Sequence, residues 1–338
     1  MHRRTQRGRQ HRRRRDEPQR ARAPIHAAHR RPGRRRGAAG ALHRDLPAAA
    51  LRRGRPHDRR RCHRLRPRRG ALPVPGEVLR RARVPELRFD ADGRIEGDRE
   101  WIVVDARGEL AWLGSHPKLA LLQPSLLPDA LLLRGGGQQP LRLSREPEGE
   151  ATQALIWHPG ERRMLGHAGR DAGALAAQFL RELTGEELRL VKLEREAMLA
   201  TAPHPLHAVS TASVGELNAH LATLGLGPVD VRRLRPNLVL GDGPDAGMPF
   251  IEEHLTQMVW RDGQGAWRRL VHRMPCERCV VPNVDPDTGQ AQAGIDTAIA
   301  ALSAQRWPGQ ASRFGVYLQP PSGGSLAEGA SLTMELDF

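Results

Sequence analysis

Residues 275–289 read Pro-Cys-Glu-Arg-Cys-Val-Val-Pro-Asn-Val-Asp-Pro-Asp-Thr-Gly, and no other stretch limits the fold as sharply. Two of the three cysteines, Cys276 and Cys279, stand here three positions apart. The apolar run at 279–281 predicts a short strand, and Pro286, Asp287 and Gly289 predict a turn after it. A thioredoxin-like pair would open a helix inside a βαβ unit, so strand and turn argue for a β framework instead. A structural zinc site needs four ligands; only His272 is near, and Cys62 is far away in the chain. On spacing alone the two cysteines read as small buried hydrophobes. Arg273 and Arg278 beside them would lower a thiol pKa, and the thiolate is the form that binds metal.

The chain beyond residue 83 is built mostly of short runs of the same kind. Residues 84–89 alternate with the two-residue period of a strand, 90–93 form a turn, and 97–105 read as a second strand. Residues 106–108 turn the second run back into 109–113, and 119–122 and 130–133 continue the pattern. Further strands are expected at 188–193, 232–240, around Trp260, and at 267–271, 312–318 and 331–336. Three segments have helical period. Residues 171–183 place Leu175, Phe179 and Leu183 on one stripe, with Gly185 as a stop. Ser213 and Glu216 form an S-x-x-E capping box, after which Leu217, His220, Leu221 and Leu224 share one side. Residues 294–302 turn Ile295, Ile299 and Leu302 inward. The expected class is therefore mainly β with a few helices (α+β). No GxGxxG, P-loop or internal repeat is present, and no apolar run approaches the roughly 20 residues of a membrane span.

Charge divides the chain in two. The formal net charge is +16, but residues 1–70 alone carry 26 Arg against 4 acidic groups, so the remainder is mildly acidic. Residues 1–83 are expected to be an Arg-rich disordered leader, since a block of like charges repels itself. The leader has no apolar core segment of a secretory signal. It admits three readings: a nucleic-acid-binding arm, a tail without a partner, or a stretch translated in the wrong frame, which its composition fits best. Nucleic acid is not the expected partner of the remainder.

Four stretches resemble the MOSC family, named after the C-terminal domain of molybdenum cofactor sulfurase. Within that family the likeness is to the branch of the mitochondrial amidoxime-reducing component and bacterial N-hydroxylamine reductases. The stretches are the Cys-x-x-Cys segment, Gly-Asp-Arg-Glu-Trp at 97–101, Arg-Arg-Leu-Arg-Pro-Asn at 232–237, and Pro-Phe-Ile-Glu-Glu-His at 249–254. The likeness covers residues 84–338. Leu234 departs from the family's phenylalanine, and 112–117 departs from its Thr-Gln-Arg-like turn. The branch also carries Tyr-Pro-Val-Lys-Ser-Cys near its start. This chain lacks that motif, but residues 74–80 admit codons that spell it when read one nucleotide forward.

The resemblance implies a MOSC N-terminal β-barrel-like domain over 84–165 and a MOSC β-barrel over 166–338. It implies the molybdenum cofactor, Mo-molybdopterin, with Cys279 as the metal ligand and catalytic residue and Cys276 not a ligand. It assigns Arg99, Arg235, Asn237 and the hydroxyl-rich segment with Ser210, Thr211 and Ser213 to cofactor binding. The residue types suit this: arginine grips phosphate with a planar fork, and a helix N-terminus favours anions. The implied reaction is reduction of hydroxylamines and amidoximes. No cysteine follows Cys279, so no Fe–S cluster is expected in this chain, and electrons would come from a separate ferredoxin- or flavoprotein-type partner. A cytoplasmic protein without membrane contact is expected. The family is also associated with pyridoxal phosphate binding. The alternative is a sulfur or cofactor carrier with a persulfide on Cys279.

Overall fold

A computed structural model describes residues 84–158, 161–200, 206–241 and 247–338 in full, and 63–67 and 201 through the backbone. The described residues fall in one compact unit. In chain order the strands and helices are β1 (His63–Pro67), β2 (Glu86–Arg88), β3 (Trp101–Val104), β4 (Gln123–Leu126), β5 (Ala130–Arg134), β6 (Leu141–Ser144), β7 (Ala151–His158) and β8 (Arg163–Asp171). Then follow α1 (Ala174–Thr184), β9 (Arg189–Leu193), α2 (Arg195–Thr201), β10 (Leu206–Ser210), α3 (Thr211–Thr223), β11 (Leu238–Gly241), β12 (Leu255–Arg261) and β13 (Trp267–Glu277). The last elements are α4 (Ile295–Arg306), β14 (Arg313–Gln319), β15 (Ser325–Ala327) and β16 (Leu332–Leu336). The mainly β expectation holds.

Seven strands close a barrel in the order β1-β11-β10-β14-β13-β12-β16. Alternation along each strand sends Leu206, Leu238, Met258, Trp260, Leu270, Val316, Leu318 and Met334 into its core. β1 pairs antiparallel with both β11 and β16. These five residues lie inside the stretch expected to be disordered. Their backbone is ordered here because without them two strand edges would be left unpaired. The rest of that leader lies outside the described residues.

The other half is two small sheets, β3-β9-β8-β7 and β4-β5-β6, packed with α1. Its core holds Trp101, Val103, Leu131, Leu133, Phe179 and Leu180, and also Val281 and Val284 from the segment after β13. The cysteine segment is thus seated against this half by its own apolar residues. Leu87, Phe89 and Ile95 belong instead to the barrel core, and β2 pairs with β15. Leu165, at the expected division, sits inside β8 opposite Ile156.

Several local expectations change. Residues 119–122 begin in a 3-10 turn (Pro117–Leu121), with Pro117 at its start, rather than in a strand. α1 buries Ala176, Phe179, Leu180 and Leu183, while Leu175 is 65% exposed; the packed sheet selects a stripe rotated from the expected one. In α4, Ile295, Ile299 and Leu302 are buried as expected. β6, β7 and most of β8 were not anticipated, because their half-exposed faces carry too few apolar residues to set a period.

Candidate functional site

The cysteine segment does not form the strand expected at 279–281; the strand precedes it. β13 runs to Glu277 and carries two bulges, between His272 and Met274 and between Pro275 and Glu277. Bulges re-aim side chains. Cys276 becomes 3% exposed, and Cys279, just past the strand, is exposed. Val281–Asn283 forms a 3-10 turn because Pro282 cannot donate to a ladder. In the turn that follows, Gly289 has φ +65°, and a Cβ there would lie 3.1 Å from Lys118 Cα.

The stretch expected as a strand at 232–240 also breaks up. Val231–Leu234 is a 3-10 turn, with Asp230 accepting from Arg232 N at 2.7 Å, and only Leu238–Gly241 is strand. Arg235 sits between them at φ 55°, in the left-handed region. Arg99 is also left-handed, at φ 59°. Only four non-glycine residues among those described have positive φ. Two of them are these arginines, and such strain gathers at functional sites.

Both arginines line one pocket, with Cys276 and Cys279. Asn237, His207, Arg278, Tyr317 and the acidic Glu277 complete its polar wall. Arg99 donates to Asp98 at 2.7 Å, and Asp98 is itself buried, so this is no surface pair. Asn237 is buried; its Oδ1 accepts from His207 N at 2.9 Å and its own N–H donates to His207 O at 2.7 Å. The close approach is completed by Gly315 at φ +76°, where a Cβ would fall 2.6 Å from His207 Nε2. The pocket therefore brings together Arg99, Arg235, Asn237 and Cys279.

It does not bring in the serines. The helix N-cap is Ser210, three residues before the position expected, and Ser213 N donates to its Oγ at 3.0 Å. Ser213 Oγ donates to Glu252 at 2.9 Å and accepts from Phe250 N at 2.7 Å, while Ser210 N donates to Glu252 at 3.1 Å. A fully buried glutamate thus occupies the helix N-terminus in the role expected of an external anion. Ser210, Thr211 and Ser213 do not line the pocket.

Arg278, the cationic neighbour of both thiols in the sequence, donates through Nη1 to Cys276 Sγ at 3.2 Å. Burial alone would lower the Arg278 pKa; the anionic forms of Cys276, Tyr317 and Cys279 outweigh it, and the pKa is raised. Its Nε is buried and makes no hydrogen bond, a state that costs roughly 1–3 kcal/mol. Exposed Arg273 takes no part in the pocket. Sequence reasoning gave no role to His207, Tyr317 or Glu252; the usable signal was a doubled glutamate beside apolar Phe250 and Ile251.

Behind the site Glu253 is pushed up from 4.5 to about 8, first by burial and then by Glu252 and Cys276, with Arg313 at 3.5 Å opposing the shift. The folded state keeps this proton up to about pH 8, whereas the unfolded chain releases it near 4.5. Folding therefore binds protons between those values, and stability falls as pH rises through them. Urea midpoints should drop between pH 6 and pH 9, by on the order of a few kcal/mol in stability, and Glu253→Gln should flatten the slope. Equal slopes in both proteins would refute the assignment.

Among the described residues, no group of three or more His, Cys, Asp or Glu could hold a metal ion. None of their helices is long and apolar enough to cross a membrane.

Fold and pocket together define a two-part β protein whose barrel presents an exposed thiol beside arginine side chains. Family comparison gives this class its name. The MOSC N-terminal beta barrel domain matches residues 76–187, and the MOSC domain matches residues 196–333. The chain belongs to the MOSC family. Among relatives, mitochondrial amidoxime-reducing component 1 of Mus musculus is 26% identical, over 72% of this chain and 73% of its own. The Homo sapiens protein of that name is 28% identical over 57% of each chain. Molybdenum cofactor sulfurase of Drosophila grimshawi is 27% identical over 67% of this chain, a match that spans 29% of that protein. The solved YUAD protein of Bacillus subtilis aligns over 82% of this chain and 99% of its own, at 12% identity and a TM-score of 0.37.

Proposed function

We propose that this protein binds a phosphorylated pterin carrying molybdenum and reduces N-hydroxylated compounds. One observation carries the reading: three guanidinium groups, Arg99, Arg235 and Arg278, line a pocket that also holds the exposed thiol of Cys279. Such a site suits an anion with a soft metal. Cys279 is a single sulfur ligand, and the described residues offer no further ligand cluster. A metal here would have to bring other donors with it, as a pterin dithiolene does. The residues fit that group. Cys279 would ligate the metal, and Arg99 and Arg235 would hold phosphate. Asn237, which also lines the pocket, would meet the pterin edge.

When bound, the group supplies two-electron chemistry. The balance is one hydroxylamine or amidoxime plus two electrons and two protons, yielding the amine or amidine and one water. The chain's own residues orient the ligand and keep positive charge beside it. Electrons come from a separate ferredoxin- or flavoprotein-type donor, and a reducing cytoplasmic setting suits an exposed thiol. Pyridoxal phosphate fits less well, since among the described residues no lysine lines the pocket to form a Schiff base.

The exposure of Cys279 favours a second reading, a sulfur carrier with a persulfide at that thiol. Metal, pterin and labile-sulfur analysis of protein made in a pterin-producing host separates the two. Stoichiometric molybdenum and pterin are expected; labile sulfur without metal would replace the reductase reading with the carrier.

A further inference from the structure

Arg278 stands between the two cysteines and reaches in two directions. Nη1 donates to Cys276 Sγ at 3.2 Å, and Nη2 donates to Leu234 O at 2.9 Å. Leu234 immediately precedes the left-handed Arg235. One side chain therefore ties the segment that carries Cys279 to the turn that carries Arg235 and Asn237. A guanidinium suits this because its N–H groups leave in fixed, coplanar directions. The outer parts of the same two segments are fastened independently. Arg232 grips Asp287 through two hydrogen bonds, of 2.9 and 2.6 Å, and Arg233 donates to Asp285 at 2.7 Å. Among these ties, Arg278 is the one in the pocket that holds Cys279 and Asn237. It is also imperfectly satisfied, since Nε is buried without a partner. An unfilled buried donor in a pocket wall asks for an explanation beyond stability.

We propose that Arg278 is a positioning residue that sets the spacing between the Cys279 sulfur and the arginine turn, so that one ligand engages both ends. This rests on the reading of the pocket as a pterin site. Without the tie, each end keeps its own chemistry, but the second contact loses the effective concentration conferred by the first.

The test uses the whole chain and its Arg278→Gln and Arg278→Lys variants. In cofactor-free protein, iodoacetamide labelling mapped by mass spectrometry should modify Cys279 and spare Cys276. In Arg278→Gln, labelling of Cys276 at about pH 10, where a thiol is ionised with or without a cationic neighbour, should rise at least about tenfold, and in pterin-loaded preparations pterin and molybdenum per chain should both fall about tenfold or more. Arg278→Lys should be intermediate, since an ammonium keeps the charge and loses the fork. The melting temperature should stay close to wild type, because Arg232 and Arg233 still hold the outer turn. If Arg278→Gln nonetheless fails to fold, Arg278→Lys decides by the same two readouts. Unchanged protection of Cys276 with unchanged cofactor content would overturn the proposal. If wild-type protein itself contains no pterin, the functional reading fails, and the thiol map alone decides whether Arg278 positions the site.

Discussion

On the proposed reductase reading, Cys279→Ser should abolish reduction of an aryl amidoxime by chemically reduced protein, with a loss of roughly a thousandfold or more, about 4 kcal/mol of transition-state stabilisation. The reason is chemical, since a serine hydroxyl is a hard, weakly acidic oxygen where a soft thiolate is needed. Fold should survive. Cys279 is exposed and packs into no core cluster, and surface substitutions of this kind move stability by about 0.5 kcal/mol or less. Steady-state rates beside a thermal melt make the check. A variant with wild-type turnover would remove Cys279 from the reaction, while lost turnover with a collapsed melt would not count as support.

Glu252→Ala should have the largest effect on stability, a loss of about 3–5 kcal/mol in urea unfolding. The carboxyl group is fully buried and accepts from Ser210 N and Ser213 Oγ. Ser213 Oγ in turn accepts from Phe250 N and lies 2.7 Å from Ser210 Oγ. Removing the carboxyl leaves Ser210 N and Ser213 Oγ without their acceptor at the buried start of α3. Glu252→Gln keeps the shape and one acceptor oxygen, so its loss should be about half as large or less. A Glu252→Ala loss below about 1 kcal/mol would mean the donors find other partners.

Local physics made part of the molecule legible. α4 is amphipathic on its own terms, and Ile295, Ile299 and Leu302 are buried as their spacing demands. Leu175 went the other way. Two stripes of α1 are apolar enough to bury, and the neighbouring sheet chose the one through Ala176 and Leu180. The start of α3 moved for a similar reason. An S-x-x-E pattern does begin at Ser213, but Ser210 sits three residues earlier and Glu252, distant in sequence, reaches both serines. Nothing local distinguishes a helix start that awaits a phosphate from one already occupied by a carboxyl group.

The sequence by itself determined the chemical inventory: a thiol pair, a run of arginines, an asparagine, and enough short alternating segments to require a β framework. These follow from residue type and period, which are local. Only the tertiary structure decided which members of that inventory meet. Two bulges in β13 turn one cysteine inward and leave the other at the surface. Two arginines in left-handed backbone, one from each half of the molecule, line the pocket beside Cys279. Those outcomes depend on strand register and on packing between distant segments, and neither is encoded in any short window of the chain.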